Sequence, residues 1–174
     1  MAWSKIYKGW ITLPILLLVI LSSCRISYKF NGSSIDYTKI KTITIRDFPN
    51  RSALVYATLA TDFTENLKDE FSSKTSLVMV ENDGDLQISG EISNYNVISS
   101  GISSTGQAAE SRLQMSVSVK FVNKVVPAES FERTFSAYQV FSNEYTIDQV
   151  QAELNEQLMD DIINQIFNAT VANW

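Results

Sequence analysis

Apolar and polar residues change their spacing several times along this chain, and each change marks an element. From Ile40 to Phe48, Ile43 and Ile45 fall on one face while Thr42, Thr44 and Arg46 fall on the other, which predicts a strand. Pro49-Asn50-Arg51-Ser52 breaks it with turn chemistry, and Ser52 is placed to cap a following helix. From about Ala53 to Ser73 the spacing lengthens. Tyr56, Leu59, Phe63, Leu67 and Phe71 recur every three or four residues, with Asp62, Glu65, Lys68 and Asp69 opposite, so an amphipathic helix with an aromatic core stripe is predicted. Ser76 to Glu81 reads as a short apolar strand. Asn82-Asp83-Gly84-Asp85 reads as a turn with positive φ at Gly84. The alternative of a calcium loop lacks the ligand spacing and the terminal Glu.

Alternation then resumes. Leu86, Ile88, Gly90 and Ile92 share one face of a strand running to Ile98, against Gln87, Ser89, Glu91 and Ser93. Residues 99–110 form a long polar hairpin tip. Leu113, Met115, Val117, Val119 and Phe121 oppose Gln114, Ser116, Ser118 and Lys120 in the clearest strand of the chain. A connection over Asn123 to Ala128 closes at Pro127. A last long strand covers Ser130 to Phe141, with Phe131, Phe135 and Ala137 on one side. Thr146-Ile147-Asp148-Gln149 fits a capping box, and Ile147, Val150, Leu154, Leu158, Ile162 and Ile166 form one helical stripe behind it. Each helix has one apolar stripe and each strand one apolar face. An α+β fold satisfies all of them: two layers, two helices packed on one face of a mixed, mostly antiparallel sheet of 4–5 strands. The first strand–helix–strand unit is expected to cross over, and the rest to be antiparallel hairpins.

The start of the chain follows different rules. Lys5 and Lys8 precede an apolar run from Trp10 to Leu21, and then come Ser22, Ser23 and Cys24. A charged start, an apolar stretch of roughly 7–15 residues and a small-residue cut site describe a secretory signal peptide. The run falls short of the roughly 20 residues that span a bilayer. Leu21-Ser22-Ser23-Cys24 is similar to a bacterial lipobox, in which the cysteine thiol receives a diacylglycerol before cleavage in front of it. Cys24 then becomes the lipidated first residue. With two or more fatty-acyl chains, such as palmitate, the anchor would be stable. The expected organisation is a signal peptide over 1–23, a lipidated leader over 24–39 and a single domain over 40–174. In the leader, Arg25 and Lys29 either meet acidic headgroups or are simply solvated.

Composition removes several chemistries. Taking residues 1–23 from the 174 leaves 151, the size of one core. The net charge of −5 becomes −7 without Lys5 and Lys8, and no basic cluster is present, which argues against nucleic acid. Histidine is absent and Cys24 is the only cysteine. Ser-His, Cys-His and imidazole or thiolate metal chemistry are therefore excluded, and no cofactor or metal is expected. Only paired acids remain, Asp83 with Asp85 or Asp160 with Asp161. They fall in a turn and on a helix exterior, so no enzymatic activity is expected. The sheet face away from the helices would carry Thr42, Thr44, Arg46, Gln87, Ser89, Glu91, Gln114, Ser116, Ser118, Lys120, Glu132, Thr134 and Ser136. Such a face is either a solvated antiparallel surface or one that rests against another polar surface, such as the inside of a protein channel.

Several segments carry a family resemblance in order. The lipobox cysteine is followed by Tyr28-Lys29-Phe30-Asn31-Gly32-Ser33-Ser34-Ile35, then by Lys41-Thr42-Ile43-Thr44-Ile45 and the turn Asp47-Phe48-Pro49-Asn50. The helix ends Leu67-Lys68-Asp69-Glu70-Phe71, and Gly84-Asp85-Leu86 and Gly90-Glu91-Ile92-Ser93-Asn94-Tyr95 come after it. Together these resemble the LptE-type lipopolysaccharide-assembly lipoproteins in the form found in Bacteroides-like bacteria. The resemblance implies a domain anchored in the outer membrane from the periplasmic side. It would sit as a plug in the LptD β-barrel and assist insertion of lipopolysaccharide into the outer leaflet. Some members contact lipopolysaccharide phosphates through basic residues, and here Arg46, Arg112, Lys120 and Arg133 qualify by charge. No acidic run follows Cys24, in keeping with a periplasm-facing lipoprotein. The alternative is an envelope lipoprotein that activates another machine, such as a cell-wall synthase.

Overall fold

The first strand, β1, is short: Thr42–Ile45, with Ile43 and Ile45 buried as the alternation requires. The structure, a computed structural model, describes residues 35–99 and 110–171. The signal segment, Cys24, most of the leader and the hairpin tip over 100–109 therefore lie outside the described residues. Helix α1 spans Leu59–Lys74 and buries Leu59, Phe63, Leu67 and Phe71, the stripe read from its spacing. It starts later than Ala53. Ser52 does not cap it; its N–H and hydroxyl bond Asn50 Oδ1, and its hydroxyl also lies 2.9 Å from the Leu54 carbonyl. Asn50 Nδ2 donates to the same carbonyl. These local side-chain bonds compete with a helical turn and hold 50–54 as an irregular connection. Thr58 is the residue that precedes the helix.

Strand β2 covers only Val78–Met79 and pairs with β1 in parallel. The long strands follow: β3, Leu86–Ser99; β4, Glu110–Asn123; and β5, Phe131–Ser142 after a 3₁₀ turn at Pro127–Glu129. The sheet order is β2-β1-β3-β4-β5. One expectation fails here. The turn over 82–85 does not close a hairpin, because β3 pairs with β1 in parallel and β1 lies between β2 and β3. The chain steps over β1 to reach its other side. The β3–β4 and β4–β5 pairs are antiparallel and long.

Helix α2, Ile147–Thr170, opens on the expected capping box, with Gln149 Oε1 accepting the Thr146 N–H at 2.9 Å. It buries Leu154, Leu158, Ile162 and Ile166, each worth about 1.5–3 kcal/mol of apolar transfer. Phe71 of α1 meets Phe167 of α2 with ring centroids 5.2 Å apart, and Phe48 meets Phe63 at 5.3 Å. One continuous core thus lies between the two helices and one sheet face. The result is the expected two-layer α+β fold. Among the described residues no helix is long and apolar enough to cross a membrane.

Gly90 faces this core, and its missing side chain is structural. A Cβ there would lie 2.1 Å from the Ser118 carbonyl oxygen and 2.6 Å from the Phe48 ring. Only glycine lets Phe48 lie on β3.

Candidate functional site

The face of the sheet that carries no helix is the best-defined polar surface of the molecule. Its composition follows from alternation in β4: the buried residues Leu113, Met115, Val117, Val119 and Phe121 send Arg112, Gln114, Ser116, Ser118 and Lys120 to the other side. Antiparallel register then sets the neighbours. Ser116 faces Ser136, with a hydroxyl–hydroxyl bond of 2.9 Å, and Ser118 faces Thr134 at 3.3 Å. Lys120 stands directly between Ser89 and Glu132.

Strand β3 departs from uniform alternation. A bulge shifts the register between Ile92 and Asn94, so that Ile92 pairs with Val117 and Asn94 with Ser116. The extra residue reverses the remainder of the strand. Tyr95 turns inward and is buried, while Asn94 and Asn96 join the outer face. The Tyr95 hydroxyl accepts from Gln151 Nε2 at 2.8 Å and donates to Asn155 Oδ1 at 2.7 Å. Burial pushes the Tyr95 phenol pKa up, against the lowering effect of these two bonds. Asn155 Nδ2 is buried without a partner among the described residues. Asn94, Asn96 and Tyr138 thus belong to the outer face although the reading by alternation left them out. The signal was the adjacent polar pair Ser93-Asn94 between Ile92 and Tyr95.

At the β1 end the loop from β2 to β3 closes over the face. Gly84 packs on the backbone, where a Cβ would lie 2.8 Å from Thr44 N, and its N–H donates to Thr44 Oγ1 at 3.0 Å. Positive φ falls on Asp83 (63°), not on Gly84; the glycine serves close approach. Asp85 Oδ2 accepts from the Lys41 and Thr42 N–H groups at 2.9 and 3.0 Å and from Thr42 Oγ1 at 2.9 Å. Its own N–H donates back to Thr42 Oγ1 at 2.9 Å. The Lys41 N–H first, then the two Thr42 donors, hold the Asp85 carboxyl below its ordinary pKa. Asp85 is therefore a clamp, and Asp83 is ion-paired to Lys124. Asp161 accepts from Gln139 Nε2 at 3.1 Å. Among the described residues neither acid pair lines a pocket and no three acidic side chains converge.

The four basic residues singled out by charge do not converge either. Arg112 and Lys120 share the outer face of β4 but stand eight positions apart, about 27 Å along a strand. Arg133 pairs with the buried Val119 and so projects to the opposite face, over the Phe131 ring at 5.1 Å. Arg46 lines an open groove of about 690 Å³ with Ile45, Asp47, Lys68, Met79, Val80 and Glu81. Lys68 there already pairs with Glu65 at 2.9 Å and Asp47 at 3.7 Å. Hydrogen bonding to Glu65 raises its pKa most, against burial, which lowers it. Cys24 with Leu21, Ser22 and Ser23 lies outside the described residues.

Comparison with known proteins bears on this surface. Residues 40–170, well over half of the chain, match the family described as LptE, lipopolysaccharide-assembly. No curated protein matches the chain in sequence. Among solved structures it is similar to a minor lipoprotein from Acinetobacter baumannii, at 19% identity and TM-score 0.52, over 77% of this chain and 94% of that one. It is also similar to the hypothetical protein CT253 from Chlamydia trachomatis, at 12% identity and TM-score 0.53, over 77% of this chain and 99% of that one. At these identities the likeness is one of fold.

Proposed function

The chain belongs to the LptE, lipopolysaccharide-assembly family, and on that premise we propose that it is the plug and assembly partner of an LptD-like outer-membrane β-barrel. It is a lipopolysaccharide-assembly lipoprotein of the cell envelope and has no enzymatic role. The observation that supports the barrel partnership is the helix-free sheet face. Its serines and threonine hydrogen-bond one another across β4 and β5, Asn94 donates to Asn96 along β3, and the face carries few charges. A hydroxyl and amide surface exchanges water for the polar inner wall of a barrel at little electrostatic cost, because few ions have to be desolvated.

The anchor completes the reading. Cleavage before Cys24 and acylation of its thiol and amine would fix the domain to the periplasmic side of the outer membrane. The leader up to residue 39 would tether it within reach of the barrel. Lipopolysaccharide then passes between plug and wall on its way to the outer leaflet. The test is affinity purification from detergent-solubilised outer membrane with a tag after Trp174. A large β-barrel recovered in stoichiometric amount supports the proposal. A peptidoglycan synthase, or no integral partner under mild detergent, refutes it.

A further inference from the structure

The helix-free face changes character along its length. Beyond the β3 bulge, three strands present one row in register: Asn96 on β3, Gln114 on β4 and Tyr138 on β5. The row before it is Asn94, Ser116 and Ser136, and the row after it is Ile98, Arg112 and Val140. Tyr138 is 58% exposed and Val140 48%, while the Arg112 guanidinium lies 5.5 Å from the Tyr138 ring centroid. Arg112 has no acidic partner within ion-pair distance among the described residues. The patch measures about 10 by 13 Å, from strand spacing and rise. It therefore combines an exposed aromatic ring, two neighbouring amides, hydroxyls and one cation with no ion-pair partner among the described residues.

We propose that this patch is a saccharide-binding site. A sugar ring has a C–H face and a rim of hydroxyls, each both donor and acceptor. The electron-rich face of an exposed tyrosine takes the C–H face. Adjacent amides offer a donor and an acceptor side by side, as adjacent ring hydroxyls require. Arg112 is the charge complement for one acidic substituent, a carboxylate or phosphate. The chemistry selects a mildly anionic oligosaccharide, and among the described residues no groove for an acyl chain borders the patch. The source we assign, the saccharide portion of the transported glycolipid, rests on the function proposed above; the site itself rests on the patch.

The test uses the full detergent-purified lipoprotein, titrated with a lipid-free oligosaccharide released from lipopolysaccharide by mild acid, and separately with the de-glycosylated lipid portion. Tyr138→Ser and Gln114→Ala should each weaken oligosaccharide binding about tenfold or more, while Tyr138→Phe stays within about twofold. Both positions face away from the core, so the urea midpoints should match the native protein and exclude misfolding. Binding carried by the lipid portion alone, no oligosaccharide binding by the native chain, or unchanged binding in Tyr138→Ser would each overturn the assignment. Barrel co-purification is read in parallel. Oligosaccharide binding without a barrel would leave the site standing and remove the plug. A barrel without oligosaccharide binding would do the reverse.

Discussion

The clamp at Asp85 allows a prediction with a sign. One carboxylate oxygen receives three donors, from Lys41 N, Thr42 N and Thr42 Oγ1, and it ties the crossover loop to the start of β1. A hydrogen bond to a charged group contributes about 1.5–3 kcal/mol. Three such bonds do not simply add, because Asp85 is partly exposed and water competes for it. We expect Asp85→Ala to cost about 2–3 kcal/mol, and Asp85→Asn, which retains an acceptor but loses the charge, about 1 kcal/mol. The folded pKa lies below the unfolded one. The charge contribution is therefore fully present above the ordinary carboxylate value of about 3.9 and disappears as pH falls through the folded value. Urea unfolding followed by far-ultraviolet circular dichroism, at neutral pH and at about pH 2–3, reads this difference. The native protein should exceed Asp85→Asn at neutral pH and converge on it in acid. Equal midpoints at neutral pH, or a gap that persists unchanged in acid, would refute the reasoning.

Three further outcomes are expected. Gly90→Ala places a methyl against the Ser118 carbonyl and the Phe48 ring, so it should cost about 3 kcal/mol or more, read as a lowered urea midpoint; a native midpoint would show that β3 yields easily there. Tyr95→Phe removes the hydroxyl between Gln151 and Asn155 and should cost about 1–3 kcal/mol, because it leaves buried amide groups unpaired. Loss of less than half of that lower bound would mean that water or a rearranged amide replaces the hydroxyl. Cys24→Ser should abolish N-terminal acylation, and mass spectrometry of the membrane fraction that still found an acylated mature N-terminus would dismiss the lipobox assignment.

The elements were legible in the sequence where a face is buried on one side only. Leu113 to Phe121 and the Leu154–Ile166 stripe report their own orientation, because burial imposes period two or 3.6 on what the residues must be. The order of strands was not legible. Whether the turn at 82–85 folds back or steps over β1 depends on Gly84 reaching the β1 backbone and on Asp85 finding Thr42, contacts some forty residues apart. Thr44 shows the same limit: alternation assigned it to the open face, and the crossing loop buries it. The start of α1 was missed because Asn50 and Ser52 bond locally and hold off the first turn. Of the candidate surface, the serines and threonines were readable strand by strand. The row Asn96–Gln114–Tyr138 was not, since register across three strands has no periodic signature.

The bulge at Ile92 connects these levels. Without it, the β3–β4 pairing would set Ser93 opposite Ser116 and carry the offset onward, so that Tyr95 would face outward and Asn94 and Asn96 would enter the core. Two buried amides against Met115 and Leu113 would cost several kcal/mol without partners, and the Gln151–Asn155 pair on α2 would lose the hydroxyl between them. One inserted residue resolves both conflicts. It brings Tyr95 under α2, where it fixes how that helix lies on the sheet, and it turns the asparagines toward Gln114 and Tyr138. The position of the helix and the chemistry of the outer face are thus set by the same irregularity. Deleting Ser93 would return β3 to uniform alternation with Asn94 still opposite Ser116 and Tyr95 still opposite Met115, so the saccharide patch and the α2 contact should both survive it; loss of both would show that the bulge itself, and not the register it sets, holds them. The substitutions Gln114→Ala and Tyr95→Phe separate the two effects, since the first touches only the outer face and the second only the core.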